Sequence, residues 1–334
     1  MAISLKTSKM LWGRSANRCA YPNCRRILIE DKTETDDASI VGDEAHIVSR
    51  KKDGPRGAST LTAEERDKFE NLILLCKIHH KIIDDQTLNY TVDNLKQMKA
   101  EHIQWVEKNL TQDVDKQRED EIYASYIDKW IELIDLHNWQ DWTSFIFGSG
   151  QPRITLKQLD NLRTLELYIF SRIWPKRYNS IEFAFNNFRF ILSDFNKVFE
   201  MHKEKIDDYG EPWYFTEKLY NKKIQKSYNE LVAEYNYHVD LVQDLACELT
   251  RSANYLCDQI RKYISSSFRI KEGSLLIVTG PNIDLNFVTH RLEFTTNDID
   301  IIKYPGLEKF MEIRKDRGFN FGKGVNEKYL EYEN

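Results

Sequence analysis

Cys19, Cys24 and Cys76 crowd into the first quarter of the 334-residue chain, beside two adjacent histidines, His79 and His80. Cys19-Ala-Tyr-Pro-Asn-Cys24 reads as a tight turn closed by two thiols, and Cys76-Lys-Ile-His79 offers a thiol and an imidazole with two residues between them. Together they make a Cys3His set, one of the tetrahedral ligand sets of structural zinc. The two halves lie about 50 residues apart, so a bound ion closes a long loop and removes entropy from the unfolded chain. A small domain with little core gains from such a tie, since zinc binding to small modules is worth roughly 10–16 kcal/mol. The plainer reading of the same residues is buried thiols beside an unrelated histidine pair. The count of five cysteines is odd, and the first residues carry no apolar secretory segment. Both points argue against a disulfide framework and for a reducing compartment, the cytoplasm. Cys247 and Cys257, far downstream in a helical run, read as core thiols.

His46 sits inside the same long loop, in Gly42-Asp-Glu-Ala-His-Ile-Val-Ser49. A lone histidine in an apolar strand is more often a satisfied core residue than a catalyst, so its weight depends on the elements around it. Residues 26–29 and 45–48 are short, aliphatic and β-branched with polar flanks, and read as strands. The charged and then Gly/Pro-rich run 50–62 must be a loop. The apolar stretch from Asn71 to Cys76 leads into the His79-His80 turn. Residues 91–110 then read as a helix with Leu95, Met98, His102, Trp105 and Val106 on one face.

The order C-x4-C, AHIV, GPRG and NLILLC-x2-HH, spread over residues 12–105, resembles the HNH nuclease family. Its style looks most like the HNH domains of bacterial antiphage effectors, including those of cyclic-nucleotide-activated systems. The resemblance implies a small zinc-stabilised ββα-metal domain. It implies that His46, on the second strand, takes the proton from the attacking water. His80, at the start of a helix, would ligate a catalytic divalent ion (Mg2+, Mn2+ or Ni2+), and Asn71 would brace the active loop by side-chain hydrogen bonds. Cys19, Cys24, Cys76 and His79 would hold the structural zinc. Elementary chemistry agrees with these roles. An imidazole with a pKa near 6.5 suits proton abstraction at neutral pH, and a divalent ion offsets charge on the phosphate oxygens. One position departs from the pattern, because Ala45 stands where many HNH domains place an acidic metal ligand. In a straight strand Asp43 shares the face of Ala45 and Glu44 that of His46, so Glu44 enters as a contributor to the catalytic ion through a bulge or a water. With imidazole among the ligands, ions softer than Mg2+ should be tolerated.

A basic set flanks these residues: Arg25 near the first knuckle, then Arg50, Lys51, Lys52 and Arg56 after His46. Any one such charge is more often a solvated face, but beside a phosphate-cleaving centre some should position a nucleic-acid backbone. No recognition-helix signature accompanies them, so the expected substrate is double-stranded DNA, cut with little sequence specificity. Two other readings compete. A zinc-stabilised nucleic-acid-binding module without cleavage draws on Ala45, and a zinc-stabilised scaffold for protein assembly draws on the acidic remainder.

The bulk composition bounds the rest. At 41% hydrophobic and 30% charged, with a net charge of −5, the chain reads as globular and not as a basic nucleic-acid binder overall. Basic and acidic residues nearly balance in residues 1–110, and the acidic excess lies beyond them. No apolar run is long enough to span a bilayer, so no membrane partner is expected. The texture changes near residue 112, which divides a nuclease domain (1–112) from a mainly helical bundle (113–334). Residues 180–206 and 213–266 read as helices, residues 274–280 and 285–294 as a β-hairpin, and the tail from Tyr304 as one more short helix. The fold class expected is therefore α+β. Nothing beyond residue 113 forms a second catalytic set. An uncontrolled nuclease harms its host, so this region is expected to mediate homo-oligomer or partner-protein contacts, with a small-ligand activator as the next expectation. The whole reads as a regulated antiphage defence effector.

Overall fold

The computed structural model describes residues 3–31, 37–109, 114–148, 151–208, 211–222, 225–281 and 284–322. The chain is a mixed α/β protein, mostly helical, with small antiparallel sheets. It folds as two compact units, Met1–Asp128 and Lys129–Asn334. The boundary expected at 112/113 falls within residues 110–113, outside the described residues.

In the first unit, α1 (Leu5–Arg14) is capped by Ser4, whose side chain accepts from Thr7 N–H. Asp128 accepts from the N–H groups of Leu5 and Lys6, both at 2.9 Å, and so puts an anion where the helix leaves its donors unmet. β1 (Ile29–Glu30) pairs with β2 (Ser39–Ile40), and β3 (Gly42–His46) leads into the long loop. A single turn, α2 (Ala63–Arg66), and a 3-10 turn at Phe69–Asn71 precede β4 (Leu72–Cys76), which pairs antiparallel with β3. α3 (Lys77–Asp85) starts directly from β4, and α4 (Val92–Asn109) closes the unit's core. Every residue of β4 is buried, packed among Leu11, Leu28, Ile83, Leu95 and Met98. Gly42 opens β3 because a Cβ there would lie 2.9 Å from the Leu28 side chain.

Three local expectations shift. The strand read at 26–29 shrinks to β1, because the backbone before it is used by the knuckle: Leu28 N–H donates to Asn17 O, and Arg26 O accepts from Cys19 N–H. The strand read at 45–48 lies earlier, as β3, since Val48 N–H bonds to the Asn71 side chain and leaves the ladder. The turn read at His79-His80 is the first turn of a helix, α3, that runs from Lys77 to Asp85.

The division between the units falls within α5 (Val114–Ile134). The second unit continues with α6 (Trp139–Phe147), β5 (Arg153–Thr155), α7 (Leu156–Phe170), α8 (Asn179–Met201), β6 (Lys203–Asp208) and β7 (Glu211–Thr216). α9 (Tyr228–Tyr263), the antiparallel pair β8 (Leu276–Thr279) and β9 (Val288–Arg291), and the short helices α10 (Ile299–Ile302) and α11 (Leu307–Ile313) follow. The helices expected over 180–206 and 213–266 are each interrupted. α8 stops at Met201, α9 starts at the capping box of Ser227 and Glu230, and the strands between them join a sheet of order β5-β7-β6. Trp213-Tyr-Phe-Thr216 is aromatic and β-branched, a run that favours a pleated, half-buried surface over a helix. The aromatic stripe of α8 is packing: Trp130 meets Phe185 and Phe188 edge-on at 6.2 and 5.8 Å. Cys247 and Cys257 are buried. No helix among the described residues is long and apolar enough to cross a membrane.

Candidate metal centre and adjoining histidines

The knuckle is built by backbone bonds before any ion is considered. Cys19 N–H donates to Arg26 O at 3.0 Å and Ala20 N–H to Leu74 O at 2.8 Å, which lays the first thiol beside β4. Asn23 and Arg25 take left-handed φ values of 62° and 49° and turn the chain back around Cys24. Cys76 ends β4 and caps α3, so His79 falls in the first helical turn. The ligand atoms of Cys19, Cys24, Cys76 and His79 all lie within 4.8 Å of one another, and no other such group of His, Cys, Asp and Glu occurs among the described residues. His79 Nδ1 is 3.1 Å from Cys76 Sγ and 3.5 Å from Cys19 Sγ. Tetrahedral ligands on zinc, at bonds of about 2.1–2.3 Å, stand roughly 3.5–3.8 Å apart. The four residues therefore fit a metal ion such as zinc.

Their surroundings favour the same use. The Cys76 N–H donates to Cys19 Sγ at 3.3 Å, a bond that supports sulfur in its charged form. Burial pushes the Cys19 thiol up to about 12 despite that bond. Burial, then Arg26, holds the His79 imidazole below its usual range and therefore neutral. Tyr21 stacks on His79 with centroids 3.8 Å apart and planes within 3°, and its hydroxyl meets that of Tyr90 at 2.6 Å. These contacts fix the plane of the ring.

His80, one residue further into α3, stands between two carboxylates. Its Nδ1 is 3.0 Å from Asp43 Oδ2 on β3, and its Nε2 is 3.4 Å from Asp84 Oδ2 one turn along the helix. All three side chains keep about a third of their surface in solvent. Glu44 is not among them. Its Oε1 accepts from the Trp12 indole at 2.9 Å on the other face of β3. Asp43 stands beside His80 in its place, and Ala45 is wholly buried.

His46, at the end of β3, meets Asp67 Oδ1 through Nε2 at 2.9 Å, while Arg50 Nη2 lies 3.5 Å from Asp67 Oδ2. Asn71 is buried and uses its whole amide: Nδ2 donates to Val48 O and Arg66 O, and Oδ1 accepts from Val48 N–H, all at 2.9 Å. His46 and His80 are not joined by a hydrogen bond among the described residues. Each has its own carboxylate partners.

The basic set divides. Arg56, expected to face nucleic acid, is a structural tie. Its guanidinium donates to Ile47 O, Ile83 O and Asp84 Oδ1 at 2.6–2.8 Å, and its side chain is only 4% exposed. Arg25 is likewise engaged, with its guanidinium 5.0 Å over the Trp105 ring and in contact with His102 Nδ1. Arg56 is thereby taken up by the fold, whereas Arg25 is only half-buried. Arg50, Lys51 and Lys52 remain exposed, on a loop pinned by the buried Arg66, which donates to the carbonyls of Ser49, Gly57, Ser59 and Leu61.

Asp43 enters the sequence reading only as a neighbour on the face of Ala45, and Asp67 and Asp84 do not enter it. Asp84 lies four residues beyond His80, on the same helical face, a spacing that can be read directly. Asp43 follows from strand alternation once β3 is known. Asp67 has no local signal. No protein-family model matches the chain, and a comparison with curated proteins finds none that matches it.

Proposed function

We propose that this protein is a metal-dependent HNH-type endonuclease that hydrolyses phosphodiester bonds of double-stranded DNA with little sequence preference, as a regulated effector of bacterial antiphage defence acting in the cytoplasm. The observation that carries the reading is the pairing of Asp43 with His80 in the β3–β4–α3 unit. A carboxylate from a strand and an imidazole from the following helix stand 3.0 Å apart, next to a metal knuckle that locks that helix in place. Two adjacent ligands on a six-coordinate ion with bonds of about 2.1 Å are separated by nearly the same distance. The mixed oxygen and nitrogen donors suit Mn2+ and Ni2+ as well as Mg2+.

In this reading Asp43 and His80 hold the divalent ion. The bound ion would supply positive charge to the scissile phosphate. His46, through the ring nitrogen that does not face Asp67, takes the proton of the attacking water. Asn71 ties the backbone of Val48, two residues beyond that histidine, to that of Arg66, which keeps its aim. Arg50, Lys51 and Lys52 meet the phosphate backbone, a contact that positions DNA without reading its sequence. Residues 129–334 control the activity through self-association or a partner protein, with a small ligand as the alternative input.

Nicking of supercoiled plasmid in a metal series tests the proposal. Cleavage with Mn2+ or Ni2+ at least as fast as with Mg2+, abolished by EDTA and by His80→Ala, is the expected outcome. A second reading, a binding module without cleavage, is favoured by the buried Ala45 where an acid would be expected. An intact plasmid together with a mobility shift of DNA would support that reading instead.

A further inference from the structure

α2 is a single turn of helix in the middle of a loop, and its position needs a reason. Thr62 and Glu65 close its capping box, and Arg66 buries its guanidinium among four loop carbonyls. Asp67 ends the turn, with its side chain only 12% exposed. The carboxylate divides its two oxygens between His46 and Arg50. Asn71 then joins the two strands of the arrangement: Val48, two residues beyond His46, and Arg66, the residue before Asp67, are bonded to the same side-chain amide. The loop thus spends a capping box, a buried arginine and a buried asparagine on the placement of one carboxylate.

We infer that Asp67 is a positioning residue for His46, holding the ring in the tautomer with the proton on Nε2 so that Nδ1 is the atom that accepts a proton. The inference rests on the nuclease reading above and deepens it. An ionised carboxylate has only acceptors, so the ring nitrogen facing it must carry the hydrogen. The other nitrogen is then bare in the neutral ring, which is the state a general base requires. Arg50 holds the second oxygen and keeps the carboxylate from rotating away. It also places a cation at the edge of the site, where it can remain paired while Lys51 and Lys52 extend into solvent.

Two readouts on the full-length protein separate this inference from the reading it rests on. The first is a 15N spectrum of the imidazoles, with the His46 signals identified by their loss in His46→Gln. Wild type should show the Nε2-protonated tautomer, and Asp67→Asn a different or mixed tautomer with thermal stability and zinc content unchanged. The second is cleavage kinetics under Mn2+. Asp67→Asn should lower kcat by about 10- to 100-fold with KM within about twofold, as for other carboxylates that orient a functional histidine, and Asp67→Glu should recover part of the loss. If wild type cleaves and His46→Ala does not, while Asp67→Asn keeps full kcat or its His46 stays in the wild-type tautomer, the inference is overturned and the nuclease reading stands. If the tautomer is as stated but wild type never cleaves with any metal, both are overturned, since there is no base to position.

Discussion

Arg56 and Lys52 stand four residues apart on one loop, yet the fold gives them opposite work. Arg56 is buried against the end of β3 and the last turn of α3, so it should behave as a structural residue. Arg56→Ala removes the guanidinium donor from two carbonyls and from Asp84 Oδ1 and should lower stability by about 1.5–3 kcal/mol, the usual range for hydrogen bonds from charged groups. Lys51→Ala and Lys52→Ala remove exposed charges and should stay within about 0.5 kcal/mol of wild type, while weakening DNA binding and flattening its salt dependence. Chemical denaturation and a salt titration of binding read the two effects separately. His102 gives a second test at this scale. It is fully buried, with Nε2 3.1 Å from Ser15 O, and burial holds its folded pKa down to about 4 from 6.5. Between those values the unfolded chain binds a proton that the folded one does not, so stability is present above pH 6.5 and is lost as pH falls toward 4. The difference in unfolding free energy between wild type and His102→Gln should therefore change across that window and level off on either side. A difference that does not vary with pH would contradict the assignment.

At the scale of elements, what could be read from the sequence was what is local. The ligand set was legible because C-x4-C and C-x2-H each close within one turn of chain, and α4 because its apolar face repeats at helical spacing through Leu95, Met98, His102 and Val106. The pairing of His46 with Asp67 was not legible, since they stand 21 positions apart and tertiary bonds, those of Arg66 and Asn71 among them, bring them together. The sheet of β5, β6 and β7 was missed for a similar reason. Lys203-Glu-Lys-Ile206 shows no alternation of its own, and its strand character comes from the Trp213–Thr216 run it pairs with. The metal knuckle yields a prediction at this scale. β4 is buried throughout and α3 springs from its last residue, so loss of the ion should release both. Cys76→Ser, or removal of metal by a strong chelator, should expose the core of residues 1–128 to hydrogen exchange and destroy cooperative melting of that unit.

Across the whole molecule, the two compact units carry different kinds of charge. The first leaves Asp43 and Asp84 about a third exposed beside His80 and sets Asp67, 12% exposed, beside His46. The second buries Asp244, Glu248, Arg251 and Arg314 along α9 and against the segment that follows α11. Asp244 accepts from the N–H groups of Phe321 and Gly322 at 2.5 and 3.0 Å, and a Cβ on Gly322 would lie 2.4 Å from the Arg314 guanidinium carbon. That segment is clamped by ionic contacts which tolerate little change. Breaking a buried pair from one side typically costs about 3–5 kcal/mol, so Asp244→Ala should markedly destabilise the second unit. A loss of control over cleavage in that variant, with the first unit still folded, would agree with a regulatory role for residues 129–334.

The most direct test of the account is the rate of supercoiled plasmid nicking by full-length protein in Mn2+, compared between wild type and His46→Ala with zinc content measured in the same samples. Wild type should cut and the variant should not, with equal zinc in both. Equal cutting by the two proteins would remove His46 from the chemistry. An intact plasmid at high enzyme concentration, for the full chain and for residues 1–128 alike, would contradict the nuclease assignment.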